Sequence, residues 1–227
     1  MGRRKKVEKE EVLIDLVETR ENAQSYFEKN QFKVLGGIGL LALIIGAFAA
    51  YFMLYKSPRD AKAMSAMYKA EQQFERDSFA LALENPGGGF DGFLDIIDNY
   101  GRTKAGNLAK YYAGVSYLNL GQYDTAIEYL QSFNPSGTVL PITRLGAIGD
   151  AYSEKGDFEN ALSFYKKAAG AKENEFLTPY YLNKLALLSE KQGNVDAALD
   201  YFKQIKEKFP NTEASTTAEK YLSKFGS

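Results

Sequence analysis

The alternation of apolar and polar positions changes character twice along the chain. Residues 34–55, VLGGIGLLALIIGAFAAYFMLY, carry no charge and stand between Lys33 and Lys56. At about 1.5 Å per residue, a helix of that length rises about 33 Å, enough for a hydrocarbon core of about 30 Å. A buried core helix seldom avoids every polar side chain over such a length. A cleaved signal has a shorter apolar run and a shorter, less acidic leader than the 33 residues found here. The pattern predicts an uncleaved transmembrane helix, with Tyr51, Phe52 and Tyr55 where an aromatic belt meets the headgroups.

Residues 1–33 read as a short charged tail. Within it Val12, Leu13, Leu16, Val17, Ala23 and Phe27 fall on one helical face. That amphipathic helix either lies on the membrane or extends the anchor, and a partner-binding helix is the sharper alternative. Arg3, Arg4, Lys5 and Lys6 form the densest basic cluster, but Lys56, Arg59 and Lys62 follow the span closely. Charge asymmetry is therefore small. A tail kept in the cytoplasm with the larger part translocated is the expected arrangement.

Beyond residue 56 the apolar positions take a helical period, and the pattern itself repeats. GVSYLNLGQYDTAIEYLQSF (114–133), GDAYSEKGDFENALSFYKKA (149–168) and ALLSEKQGNVDAALDYFKQI (186–205) align on Gly121, Gly156 and Gly193, which lie 35 and 37 residues apart. The middle unit carries Leu145, Ile148, Gly149 and Tyr152, then Ala161, Tyr165 and Ala168. The third has Leu182, Leu185, Ala186, Ala198, Phe202 and Pro210, with Ser189 at an aromatic position. The first has Ala113, Gly114, Tyr117, Ala126 and Leu130, with Lys110 at a large apolar one. A period in the mid-thirties made of two helices and a turn resembles the tetratricopeptide repeat family. The spacing has a packing cause. Gly149 and Ala161 leave room for close helix approach, and Tyr152 and Tyr165 fill the remaining holes. Gly156 ends the first helix in a left-handed turn, and Asp157 caps the second.

These patterns predict an all-α protein, a tetratricopeptide-repeat solenoid tethered by one N-terminal transmembrane helix. Its parts are the tail (1–33), the span (34–55) and a repeat domain (56–227). The repeats fall at about 107–140, 142–175 and 179–212, and a capping helix at 212–225 covers the apolar end of the stack. A degenerate unit occupies 60–101. There FLDIIDNYG mirrors FKQIKEKFP, pairing Phe93 with Phe202, Ile96 with Ile205 and Tyr100 with Phe209. About seven residues near 84–90 are inserted into its second helix, and Pro86 with three following glycines predicts an exposed loop. That loop is either a tolerated insertion or a partner contact.

Charge and composition remove most chemistry. Lys+Arg (28) and Asp+Glu (29) nearly balance, against the basic surplus of a nucleic-acid binder. The chain has no Cys and no His, which removes disulfides, thiolate catalysis, the commonest metal ligand and the commonest general base. Asp95 and Asp98 could form a carboxylate pair, yet they alternate with Phe93, Ile96 and Ile97 as a solvated helix face does. No catalytic, cofactor-binding or metal-binding residue is expected.

Function then rests on surfaces. Stacked helix pairs present their first helices to a groove that holds an extended peptide or a partner helix. The candidate groove positions are Leu108, Tyr111, Val115 and Leu118 in the first unit, Asp150, Ser153 and Glu154 in the second, and Asn183, Leu187 and Lys191 in the third. The family's carboxylate clamp uses Lys and Asn at such positions, where Tyr111 and Val115 stand instead. The apolar first-unit face is either a binding surface or the floor on which the upstream unit packs.

The full layout resembles the YfgM-like ancillary translocon subunits of bacterial inner membranes. The segments GFLDIIDNYGRTKAGNLAKYYAGVSYLNLGQYDTAIEYL and NEFLTPYYLNKLALLSEKQGNVDAALDYF look like the version found in Bacteroidota. That resemblance implies a cytoplasmic N-terminus and a periplasmic repeat domain. It also implies the SecYEG channel and a PpiD-like membrane-anchored chaperone as partners, with newly exported proteins as clients. A scaffold for outer-membrane assembly, a secretion apparatus or cell division is the alternative.

Overall fold

The computed structural model describes residues 2–85 and 87–225, with side chains described from Gln24 onward. The side chains of Val12, Leu13, Leu16, Val17 and Ala23, and Pro86 of the insertion, lie outside the described residues. The chain resolves into two compact units, Met1–Pro58 and Arg59–Ser227.

The first unit is helical throughout its described residues. Helix α1 (Gly2–Tyr51) is interrupted at Asn30, whose φ of −122° and ψ of 17° are not helical. The Asn30 side chain donates to the Tyr26 carbonyl at 3.1 Å, a local bond that competes with the helix ladder. A π-helical turn, Phe52–Lys56, closes the apolar run. Within it Tyr55 stacks on Tyr51 (5.5 Å) and the Lys56 ammonium sits over the Phe52 ring (5.2 Å). An 18-residue window here has a mean hydropathy of 2.3 and is 0 % buried, so this helix is long and apolar enough to cross a membrane.

The second unit is built of helical hairpins. Its elements are α2 (Ser57–Phe74, entering the unit at Arg59), α3 (Phe79–Glu84), α4 (Phe93–Tyr100), α5 (Lys104–Asn119), α6 (Tyr123–Ser132), α7 (Leu140–Glu154), α8 (Phe158–Ala171), α9 (Leu177–Lys191), α10 (Val195–Lys208) and α11 (Glu213–Phe225). The turns closing α5–α6, α7–α8 and α9–α10 are alike. Gly121, Gly156 and Gly193 take φ of 76°, 78° and 79°. Each donates to a carbonyl three residues back (Leu118, Ser153, Glu190), and the next residue donates five residues back (Tyr117, Tyr152, Ser189). This is a Schellman ending, which satisfies helix-end carbonyls and needs a left-handed residue. The residue after the glycine begins the partner helix. Asp157 accepts from Asn160 N (3.2 Å) and Asn194 from Ala197 N (3.1 Å), whereas Gln122 makes no such cap.

Small residues set the distance between hairpin helices. Ala126 and Ala161 are 0 % exposed, Ala186 likewise, and Ala198 3 %. A Cβ on Gly114 would meet Leu130 Cγ at 2.6 Å. On Gly149 it would meet the Tyr165 ring at 2.7 Å and the Ala161 carbonyl oxygen at 3.4 Å, so an aromatic ring and the facing backbone both close on that glycine. Tyr117 stacks on Tyr129 (5.3 Å), Tyr152 on Phe164 (5.5 Å) and Phe202 on Tyr221 (4.7 Å).

Upstream, Phe93 and Ile96 are 0 % exposed, matching Phe202 (1 %) and Ile205 (0 %). They share an apolar cluster with Ala63, Met67 and Ala70 of α2 and Ala105, Ala109 and Ala113 of α5. Between α3 and α4 the chain runs through Gly87, Gly88 and Gly89, exposed and with φ of 94°, 66° and 74°. Along the stack α5 touches α7, α7 touches α9, and α9 touches α11. Among the described residues no such approach joins α6 to α8 or α8 to α10, so the first helices form the crowded inner wall. Helix α11 packs on α9 and α10 with Ala218 fully buried and Tyr221 and Leu222 half-buried, while Phe225 stays exposed at the end.

Candidate functional site

A cavity of about 580 Å³ opens where the first helices converge. Helix α5 contributes Leu118 and Asn119, and Tyr123 opens α6. Helix α7 contributes Asp150, Ser153 and Glu154. Tyr165 reaches in from α8, and α9 adds Lys184, Leu187, Leu188 and Lys191. Helical periodicity explains the set. Asp150, Ser153 and Glu154, like Lys184, Leu187, Leu188 and Lys191, are spaced by three and four and share one face of their helix.

The polar centre is Asp150. Its Oδ1 accepts from the Tyr165 hydroxyl at 2.6 Å and from Lys184 Nζ at 2.6 Å, joining α7, α8 and α9. Lys184 and Asp150 have side chains 27 % and 29 % exposed, and the ammonium lies over the rings of Tyr180 (5.2 Å) and Tyr165 (5.5 Å). Burial works against the Lys184 charge, but the Asp150 carboxylate, its hydrogen bond and Tyr180 outweigh that, so the lysine pKa rises. Burial, then the Asp150 charge, pushes the Tyr165 phenol far above its ordinary value, and burial does the same to Tyr181. Tyr181 stacks on Tyr165 at 6.3 Å, and its ring fills the space that a Cβ on Gly146 would need. At the rim, Lys191 sits over the Phe158 ring (4.8 Å) and Lys155 pairs with Asp124.

Leu118, Asp150, Ser153, Glu154, Leu187 and Lys191 line this cavity together. Other groove candidates sit elsewhere. Leu108 packs against the cluster shared with α2 and α4. Tyr111 and Val115 pack with Ile127, Leu130, Ala147 and Ile148, toward the following hairpin rather than the upstream unit. Tyr111 also lies 5.4 Å from the Phe133 ring. Asn183 faces a separate cleft with Phe176, Tyr180 and Thr217. Lys184 and Gly146 were absent from the sequence-derived set. Lys184 lies one helical turn before Leu187, the position that repeats Asp150 37 residues on, so the repeat alignment does not single it out.

Tetratricopeptide repeat profiles match residues 143–175, and 108–134 with 182–212. The chain carries tetratricopeptide repeats. The matched repeats fall on the helix pairs α5–α6, α7–α8 and α9–α10, whose first helices supply most of the cavity wall. A similar solved structure contains nearly identical TPR-like repeats from a Podospora anserina protein named as a kinesin light chain. It has a TM-score of 0.56 at 14 % identity and covers 73 % of this chain and 85 % of that one. At that identity the likeness concerns the fold alone. A search of curated proteins gives no match.

Proposed function

We propose that this chain is a membrane-anchored scaffold that serves as an accessory subunit of the Sec translocon, working with a PpiD-like chaperone on newly exported proteins. Tetratricopeptide repeats bind protein partners, and the observation that carries the reading is the open cavity where three first helices converge. The apolar, unburied window of α1 supports residues 34–55 as the lipid-embedded tether of a single-pass inner-membrane protein. In this reading the tail (1–33) stays in the cytoplasm and the repeat domain (56–227) works in the periplasm. The break at Asn30 supports a division between tail and tether.

The test is affinity isolation of the full chain under mild detergent. Channel subunits and the membrane-anchored chaperone are the expected co-purifying proteins. Recovery of another envelope machine without channel subunits replaces the translocon reading with the outer-membrane assembly, secretion or division alternative.

A further inference from the structure

Resting on the reading of residues 34–55 as a membrane tether, we propose that the upstream end of the repeat stack docks on the bilayer surface through Met64, Tyr68 and Phe90, with Lys62 and Lys69 as its cationic rim. The repeat register defines that end. Asp77, with φ of 57°, closes α2 as the turn glycines close the later first helices: it donates to the Phe74 carbonyl, and Ser78 donates to that of Gln73. Nine residues before each of these turn residues stands a side chain that, in α5, α7 and α9, meets the preceding hairpin. Tyr112 packs on the rings of Phe74 (5.0 Å) and Phe93 (5.1 Å), Ala147 clusters with Ile127 and Leu130, and Lys184 pairs with Asp150. Tyr68 holds the same position in α2, but its unit begins at Arg59 and no hairpin precedes it among the described residues. Tyr68 is 58 % exposed, and Met64, one turn earlier, 60 %. The face that α2 turns to its own core is a separate one, where Ala63, Met67 and Ala70 are at most 2 % exposed.

The insertion between α3 and α4 supplies the third apolar side chain. Gly87, Gly88 and Gly89 take left-handed φ, and the Phe90 amide donates to the Gly87 carbonyl at 3.3 Å. The Phe90 ring, 47 % exposed, then lies 5.4 Å from the Lys69 ammonium. That ammonium is also 5.9 Å from the Tyr68 ring, so one lysine bridges both aromatic residues. A terminal repeat that faces water carries a polar outer face, whereas this one carries Met, Tyr and Phe. Charge and composition select lipid as the cover. Residues 61–70 contain Lys62 and Lys69 and no acidic residue, which complements an anionic surface. Aromatic rings beside lysine suit the headgroup layer, where the rings sit in the interface and the ammonium reaches water. Tether length keeps the patch close. Met64 follows Tyr55, the last residue of the apolar run, by nine residues, at most about 30 Å even when fully extended. Docking lays α2 along the surface. The bend this needs falls where the helix is already irregular, at the π-helical turn Phe52–Lys56 and at Pro58, which has no N–H to donate.

The chain has no tryptophan, so one introduced indole reports a single position. The test places the full chain in phosphatidylcholine–phosphatidylglycerol vesicles and compares three variants. Leu41→Trp lies in the span, Phe90→Trp in the patch and Phe176→Trp at a ring 79 % exposed in a later turn of the repeat unit. Brominated lipids are expected to quench Leu41→Trp and Phe90→Trp at least about twofold and to leave Phe176→Trp almost unchanged. Adding Met64→Asp and Tyr68→Asp to Phe90→Trp should abolish its quenching with an unchanged thermal melt. Quenching of Leu41→Trp without quenching of Phe90→Trp overturns the docking while the tether stands. So does equal quenching of Phe176→Trp, or quenching of Phe90→Trp that the two aspartates do not affect. A blue-shifted but unquenched Phe90→Trp means that a second copy or another protein covers the patch, which overturns lipid as its occupant. An unquenched Leu41→Trp removes the tether and the docking together.

Discussion

A methyl group at position 149 has no space to occupy. The ring it would strike belongs to Tyr165, 4 % exposed and held by its hydroxyl on Asp150, so the ring cannot swing aside. At position 146 the obstacle is Tyr181, 5 % exposed, and the overlap is deeper. Position 170, near the end of α8, is the opposite case, with ordinary helical backbone and nothing within 4 Å of an added Cβ. Overpacking costs about 1–3 kcal/mol, and replacing a helical glycine by alanine gains up to about 1 kcal/mol. Thermal melts of the full chain should therefore rank Gly170→Ala above the wild type, Gly149→Ala below it and Gly146→Ala lowest. A Gly149→Ala protein melting above the wild type would show that the Tyr165 ring is free to yield.

Among elements, the tie that joins α7, α8 and α9 carries its own pH signature. Phenols held above their ordinary value of about 10 stay protonated when the unfolded chain ionises. Above that pH the unfolded state binds fewer protons than the folded one, so stability falls as pH rises. The raised Lys184 pKa acts in the same direction, because the folded state keeps its proton where the unfolded state loses it. The contribution is complete below about pH 10 and is lost as pH rises further. Urea midpoints should drop more steeply between about pH 9.5 and 11 for the wild type than for Tyr165→Phe, which removes one of the raised phenols. Equal slopes would remove Tyr165 from this account. The tie also marks where sequence reading stops. Gly121, Gly156 and Gly193 disclosed the hairpins because a left-handed turn admits few other residues, and the period followed from them. Asp150 to Lys184 (34 residues) and Gly146 to Tyr181 (35 residues) both fall short of the 37 residues between Gly156 and Gly193, so neither pair stands at equivalent repeat positions and the period does not reveal them. Tyr111 and Val115 were ambiguous for another reason: a first-helix side chain at the groove edge can turn to solvent or to the next hairpin, and the neighbour's shape decides.

For the whole molecule, the proposed anchoring raises two questions: whether the apolar helix spans a bilayer, and which side each end would then occupy. A helix whose most apolar window is entirely unburied leaves a large nonpolar surface that a bilayer would remove from water. Charge alone orients that helix weakly, because basic residues flank both of its ends. The chain lends itself to a direct measurement, since it has no cysteine and every introduced thiol reports without background. Ser25→Cys and Ser136→Cys each place a thiol at an exposed position, the first before the apolar run and the second in the turn between α6 and α7. In cells with a permeabilised outer membrane, a membrane-impermeant maleimide should label Ser136→Cys at once and Ser25→Cys only after lysis. The reverse pattern would put the repeats in the cytoplasm, where they could meet neither a periplasmic chaperone nor an emerging exported chain. Immediate labelling of both would mean that the apolar helix is not a tether at all. The two thiols thus test anchoring and orientation separately from any identification of the partner.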